Sequence, residues 1–284
     1  MERLGYYNGE WGPLEEMKVP FLDRASFFGD GVYDATITSQ GVVLYEDDHI
    51  DRFFNSCAIM EIEPDFTKDE LRAVLRDMVS KVSVSDTFLY WQVTRGTAQR
   101  AHQFPEAKPN LWIMVVPEPL EDLSWDCRAV TVEDTRFFHC NAKTLNLLPN
   151  VRAQQRAQEK GCEEAIFVRP DGFVTECAHS NVHILKNGAL VTHPADNLIL
   201  PGIARKHLIA ACAALSIPVE ERPFSKEELF AADEVVISSS STFARGCCEI
   251  DGQEVGGKDR PLLRRLQDYL TQEFNAYIAA NKAE

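Results

Sequence analysis

Two spacings of hydrophobic and polar positions organise this chain. Residues 33–38 alternate at every second position, as a half-buried strand does, and residues 88–94 and 111–116 read as two more strands. Residues 6–11 come before them as a short hairpin with Asn8-Gly9 at its turn. Between these strands the apolar positions take a helical spacing. Ile50, Phe53, Phe54 and Cys57 fall on one face of a helix that Asp47 or Asp48 caps. Leu71, Val74, Leu75 and Met78 share a face after Thr67 and Glu70, which have the spacing of a capping box.

Pro117-Glu118-Pro119 interrupts this pattern, and we place a domain boundary there: residues 1–118 as a small N-terminal domain and 119–284 as a larger C-terminal one. The second part opens with a strand at 127–133. It continues with hairpins that turn at Pro170-Asp171-Gly172 and at Asn187-Gly188. Pro201-Gly202 then starts a helix with Ile203, Leu208, Ala211, Cys212 and Leu215 inward. A capping box at Ser225 and Glu228, a strand at 234–237 and a final helix over 261–278 complete the chain. Strands and helices mix without a regular βαβ alternation, so the fold class is α+β.

Composition narrows the function. With 284 residues, 45% of them hydrophobic, the chain is long enough to bury a large core. A net charge of −15 argues against nucleic acid and means that an anionic substrate needs a local cationic trap. No apolar run is long enough to cross a bilayer, and Met1-Glu2-Arg3 leads straight into folded-looking sequence. A cytoplasmic location without a membrane partner is therefore expected. The eight cysteines show no repeated CxxC spacing, so neither structural zinc nor a disulfide framework is expected.

The candidate chemistry centres on residues 140–150, CNAKTLNLLPN. A single lysine is ordinarily a solvated charge. Here Leu145, Leu147 and Leu148 follow it, which reads as Lys143 leaving a strand and entering the protein. An amine withdrawn from water is more readily neutral, as condensation with a carbonyl requires. Pro149 suits the first turn of the next helix, and Gly161 suits its end.

Several other groups offer both a functional and a bland reading. His49 and Arg52 lie one helical turn apart, and either point to a common place or form a half-exposed salt bridge. The loop TRGTAQRAHQFPEAKPN holds Arg95, Arg100 and His102, either as a carboxylate clamp or as solvated charge. Gly29 and Gly31 bracket Asp30 and allow a close backbone approach. The helix start after Gly202 offers free N–H groups to a phosphate, and residues 238–242, SSSST, either complete that cup or form a flexible loop.

Taken together, these segments resemble class IV pyridoxal-phosphate-dependent aminotransferases. The segment ECAHSNVHILKNGALVTHPADNLILPGIAR is similar to their signature, with Glu176, Asn181, Thr192, Gly202 and Arg205 at its marked positions. Within that family, FGDGVY, HIDR, TRGTAQRAHQFPE and KTLNLL resemble the D-amino acid (D-alanine) aminotransferases. The resemblance implies a two-domain fold of type IV and pyridoxal 5′-phosphate as cofactor, with Lys143 bonded to it as the catalytic lysine. Glu176 is implied to pair with the pyridine nitrogen and Leu200 to pack on the ring. Arg52, the N–H groups of Ile203 and Ala204, and the hydroxyls of Ser240 and Ser241 are implied to hold the phosphate. Tyr33, Arg100 and His102 are implied to bind the substrate carboxylate, the last two across a homodimer interface. The implied reaction moves the amino group of a D-amino acid to a 2-oxo acid such as 2-oxoglutarate. The alternatives are a branched-chain aminotransferase, an aminodeoxychorismate lyase, or a cofactor-binding protein without turnover. Departures from the family pattern fall at Ala204, where a hydroxyl residue is usual, at Ala178 and His179, where small hydroxyl residues are, and at His183, where an aromatic is.

Overall fold

The computed structural model describes residues 2–121, 123 and 125–282. The chain forms two compact units: Met1–Leu120 with Ala142–Asn146 and Asn275–Glu284, and Glu121–Asn141 with Leu147–Phe274. The boundary expected after residue 118 divides the sequence into two continuous segments. The units defined by contact differ from it by taking the Lys143 segment and the C-terminal end into the first.

The first unit is an antiparallel sheet in the order Glu10–Pro13, Leu4–Tyr7, Asn110–Pro117, Asp86–Thr94, Gly31–Ser39 and Val42–Val43. Leu89, Trp91 and Val93 alternate onto one buried face, where Ile50, Phe53 and Cys57 of helix Glu46–Ile59 and Leu71, Leu75 and Met78 of helix Lys68–Ser80 join one core. Each such fully buried side chain contributes roughly 1.5–3 kcal/mol over an exposed one. The capping box at Thr67 forms in both directions. Neither Asp47 nor Asp48 caps the helix before it. That role falls to Tyr45, in the left-handed region at φ 47° and with no side-chain cap, so the helix starts at Glu46, ahead of where a cap at either aspartate would put it. Asp47 and Asp48 lie in the first turn instead, where their charge suits the helix dipole.

The second unit holds a mixed sheet in the order Val219–Glu221, Ala189–Thr192, Asn181–Lys186, Glu234–Ser238, Arg245–Ile250, Cys127–Glu133, Glu164–Val168, Phe173–Cys177 and Phe224–Ser225. Two of its connections are parallel crossovers. Helix Leu148–Glu159 links Cys127–Glu133 to Glu164–Val168, and helix Ile203–Ala214 links Ala189–Thr192 to Val219–Glu221. All other connected pairs except Arg245–Ile250 with Cys127–Glu133 are antiparallel, and the fold is α+β. Pro149 occupies the first turn of its helix, and Gly161 ends it at φ 68°. Leu262, Leu263, Leu266 and Leu270 of helix Arg260–Asn281 pack into a core with Leu208, Ala211 and Cys212.

Candidate active site

In the first unit, Lys143 is held by its backbone. Its carbonyl accepts from the Tyr33 N–H at 2.8 Å, its own N–H donates to Ser56 Oγ at 3.0 Å, and Leu145 N–H donates to the Gly31 carbonyl at 3.0 Å. Val32 and Thr144 form an antiparallel bridge, so residues 143–145 act as a short added strand beside the start of Gly31–Ser39. The two glycines make room for it. A Cβ on Gly31 would strike the Val93 carbonyl and Leu145, while Gly29, at φ 60°, faces the Asn146 amide, whose Nδ2 donates to its carbonyl at 3.1 Å. Lys143 Nζ lies 4.4 Å from the centre of the Tyr33 ring, which is itself stacked on Tyr90 at 5.3 Å. The lysine is half-buried, as are Leu145 and Leu147. Leu148 is not part of an inward run. It is 70% exposed, because the helix it begins turns its first residue outward.

Behind this segment His49 and Arg52 do share a partner, and it is Asp34. Arg52 donates from Nε to Asp34 Oδ2 at 2.8 Å and from Nη2 to Oδ1 at 2.7 Å, and His49 Nδ1 meets Oδ1 at 2.8 Å. Asp34 and His49 are fully buried. Burial alone would raise the Asp34 carboxyl, but the charge of Arg52 and the bond from His49 outweigh it and hold the group well below the usual carboxylate range. Burial pushes His49 down despite Asp34.

Arg100 and His102 are exposed and gather on one ring, Phe28, at 5.1 and 5.3 Å from its centre. Their loop is tied down by Arg24, whose Nη1 donates to the Ala101 carbonyl at 2.6 Å, and by Arg95, which bonds Asp30 and covers Phe104. Among the described residues no hydrogen bond joins Arg100 or His102 to Tyr33 or Lys143, and within one chain the loop pair meets at Phe28.

In the second unit, Glu176 sits buried on strand Phe173–Cys177. Its Oε1 accepts from Arg136 Nη1, and its Oε2 accepts from Asn181 Nδ2 at 2.9 Å and from the Leu200 N–H at 3.0 Å. Every one of these partners is a donor, so the carboxylate keeps the role of acceptor. Leu200 touches it through its backbone, which a reading of side chains does not anticipate. Gly202 stands in extended backbone ahead of helix Ile203–Ala214 with no side-chain cap, and Ile203 and Ala204 are the first two helical residues. Their N–H groups have no acceptor within the helix. A Cβ on Gly202 would overlap the Asn181 amide oxygen, so only glycine allows this start. Residues 239–242 turn back on themselves, with Ser239 Oγ at 3.2 Å from Ser241 Oγ and 2.9 Å from Thr242 Oγ1, and Ser240 and Ser241 are half-buried.

The departures from the family pattern have separate fates. His183 is fully buried and bridges Thr192 Oγ1 and Ser238 Oγ, each at 2.8 Å. Burial, with the charge of Arg205 adding, pushes its imidazole down to about 3, so it packs as a neutral group. Ala178 packs in a core with Phe167 and Ala153. The His179 side chain is 61% exposed and meets Glu164 at 3.1 Å. Arg205, the basic residue of the signature, is buried and bonds Thr192, the His193 carbonyl and Glu221.

Each donor set, taken within its own unit, fits one part of a phosphorylated pyridine aldehyde. A half-buried amine over an aromatic face suits the aldehyde, a buried carboxylate that accepts from Arg136, Asn181 and the Leu200 N–H suits a protonated ring nitrogen, and an uncapped helix start and a hydroxyl turn each suit a phosphate. Sequence reasoning misses Asp34, Ser56 and the pair Asp134–Arg136. Asp34 carries a faint signal, a carboxylate in a strand facing a helix with histidine and arginine one turn apart. Ser56 and the reach of Arg136 to Glu176 carry none, because those partners are far along the chain.

The amino-transferase class IV family profile matches residues 31–250. The chain is 38% identical over 283 residues to the D-alanine aminotransferase of Staphylococcus haemolyticus, covering 98% of this chain and 99% of that protein. It is 37% identical over 268 residues to the D-alanine aminotransferase of Bacillus licheniformis, covering 93% and 94%. Among solved structures, the branched-chain aminotransferase of the archaeon Thermoproteus uzoniensis with norvaline superposes with a TM-score of 0.87 at 24% identity, over 98% of this chain and 97% of that one. At that identity the likeness shows the fold alone.

Proposed function

This chain belongs to amino-transferase class IV, and on that footing we propose that it is a pyridoxal-phosphate-dependent transaminase. It moves the amino group of a D-amino acid of the D-alanine type to a 2-oxo acid such as 2-oxoglutarate. It works as a homodimer in the cytoplasm, on small molecules alone. Among the described residues no helix is long and apolar enough to cross a membrane. The observation that carries the reading is Lys143, an amine held by backbone bonds and laid on the Tyr33 ring, in a chain whose near full-length relatives are D-alanine aminotransferases.

Pyridoxal 5′-phosphate, when bound, supplies an aldehyde that takes up the amino group and a ring that accepts the electron pair of the broken Cα–H bond. The chain supplies the rest. Lys143 Nζ would hold the cofactor and, once released, would carry the proton between the substrate Cα and the cofactor's aldehyde carbon. Glu176 holds the ring nitrogen by accepting from it. Ile203 and Ala204 N–H, Ser240, Ser241 and Arg52 bind the phosphate, with Arg52 oriented by Asp34. Tyr33, Arg100 and His102 bind the substrate carboxylate, and Arg100 and His102 act on the partner copy's substrate. That assignment accounts for two exposed polar side chains, Arg100 and His102, parked on Phe28 within one chain.

The test is purified protein with D-alanine and 2-oxoglutarate. Pyruvate and D-glutamate are the expected products. Turnover of L-leucine without D-alanine would move the chain to the branched-chain group, and pyruvate released from aminodeoxychorismate without an amino acceptor would make it a lyase.

A further inference from the structure

Glu176 does not stand alone in its unit. Arg136, 7% exposed, reaches Glu176 Oε1 with Nη1. The remainder of its guanidinium is fixed by Asp134, with Nε on Oδ1 at 3.0 Å and Nη2 on Oδ2 at 2.9 Å. Asp134 in turn accepts from Thr175 Oγ1 at 2.8 Å and lies 3.0 Å from Arg169 Nε. Phe167 covers the Arg136 guanidinium at 4.3 Å. A carboxylate buried this deeply with neutral donors alone tends to take up a proton, because burial disfavours its charge. A fixed cation against one of its oxygens reverses that preference. The same cation is farther from whatever Glu176 bonds on its other side, so it stabilises the carboxylate more than it repels a proton held there.

The geometry points to Arg136 as a positioning residue for transamination: it keeps Glu176 charged and aimed, so that the shared proton rests on the cofactor's ring nitrogen and not on the carboxylate. Asp134 contributes by fixing the fork of Arg136. Removing the cation transfers one proton from ring nitrogen to Glu176 oxygen, with no change in electrons or in total charge of that pair. A neutral ring nitrogen is a weaker electron acceptor, and proton removal at the substrate Cα slows accordingly. This inference rests on the cofactor reading above.

The experiment uses holoenzyme loaded with pyridoxal phosphate labelled with ¹⁵N in the ring. Borohydride reduction and mass analysis of the Lys143 peptide come first, and an unlabelled peptide there overturns the cofactor reading itself. With the cofactor on Lys143, the ring-nitrogen resonance of the parent protein is expected at the protonated position. It is expected to move towards the neutral position in Arg136→Met and to return in Arg136→Lys, which restores the charge. If Arg136→Met does not fold, Asp134→Asn with Arg136→Met removes opposite charges together and is read in the same way. In a Glu176→Gln background the Arg136 change is expected to add nothing, because it acts through the carboxylate. An unmoved resonance in the Met variants, or an equal shift with and without Glu176, overturns the inference.

Discussion

Asn181 is packed so closely on Gly202 that its amide oxygen fills the space a Cβ would take. The other end of the same amide donates to Glu176 Oε2 at 2.9 Å and to the Leu200 carbonyl at 3.1 Å. One side chain therefore sets both the start of a helix and the partner of a buried carboxylate. Gly202→Ala is expected to push the two apart at a cost of about 1–3 kcal/mol, the usual range for overpacking. Cofactor affinity, measured by equilibrium titration, should fall with it, and Asn181→Ala in the same chain should restore part of the stability by emptying the space. A Gly202→Ala protein with parental affinity and denaturation midpoint would contradict this packing account.

Lys143→Ala is expected to abolish transamination and leave stability within about 0.5 kcal/mol, since the segment is held by main-chain bonds that alanine keeps. Ser56→Ala should do the reverse in kind. It removes the acceptor of the Lys143 N–H and is expected to cost roughly 1–3 kcal/mol with activity reduced but present. Urea denaturation and a coupled pyruvate assay on both variants check the pair.

Asp34 bonds the side chains of His49 and Arg52 in a fully buried place. Asp34→Ala leaves the Arg52 charge without its carboxylate and is expected to destabilise by about 3–5 kcal/mol. Phosphate binding should weaken as well, read as a raised dissociation constant for pyridoxal phosphate. A variant that loses stability and keeps its cofactor affinity would remove Asp34 from the orientation of Arg52.

His183 links stability to pH. In the folded chain its imidazole titrates at about 3, held down by burial, against ~6.5 when unfolded. Between those values the unfolded chain binds a proton that the folded chain does not. The contribution is fully present above about pH 6.5 and is lost as pH falls towards 3, by about 1.4 kcal/mol per unit. Comparing unfolding free energies of the parent and His183→Phe at pH 7 and pH 5 isolates it. The parent should lose more than the variant, and equal losses would show that His183 is not the group responsible.

Local chemistry was readable along the chain wherever neighbours in sequence are neighbours in space. The capping boxes at Thr67 and Ser225, the turn at Asn8-Gly9, the proline start and glycine end of helix Leu148–Glu159, and the strand at residues 33–38, though its polar positions Asp34, Thr36 and Thr38 are buried and not turned to solvent, all depend on spacings of a few residues. The family resemblance depended on such short motifs too. What the tertiary structure decided is who meets whom across long separations. Gly29 and Gly31 face the Lys143 segment more than a hundred residues away, and Asp34 collects His49 and Arg52. Arg136 finds Glu176, and His183 turns inward between Thr192 and Ser238. A buried charge or polar group is stable only beside its partner, and sheet order, which no local spacing encodes, is what brings the partner there.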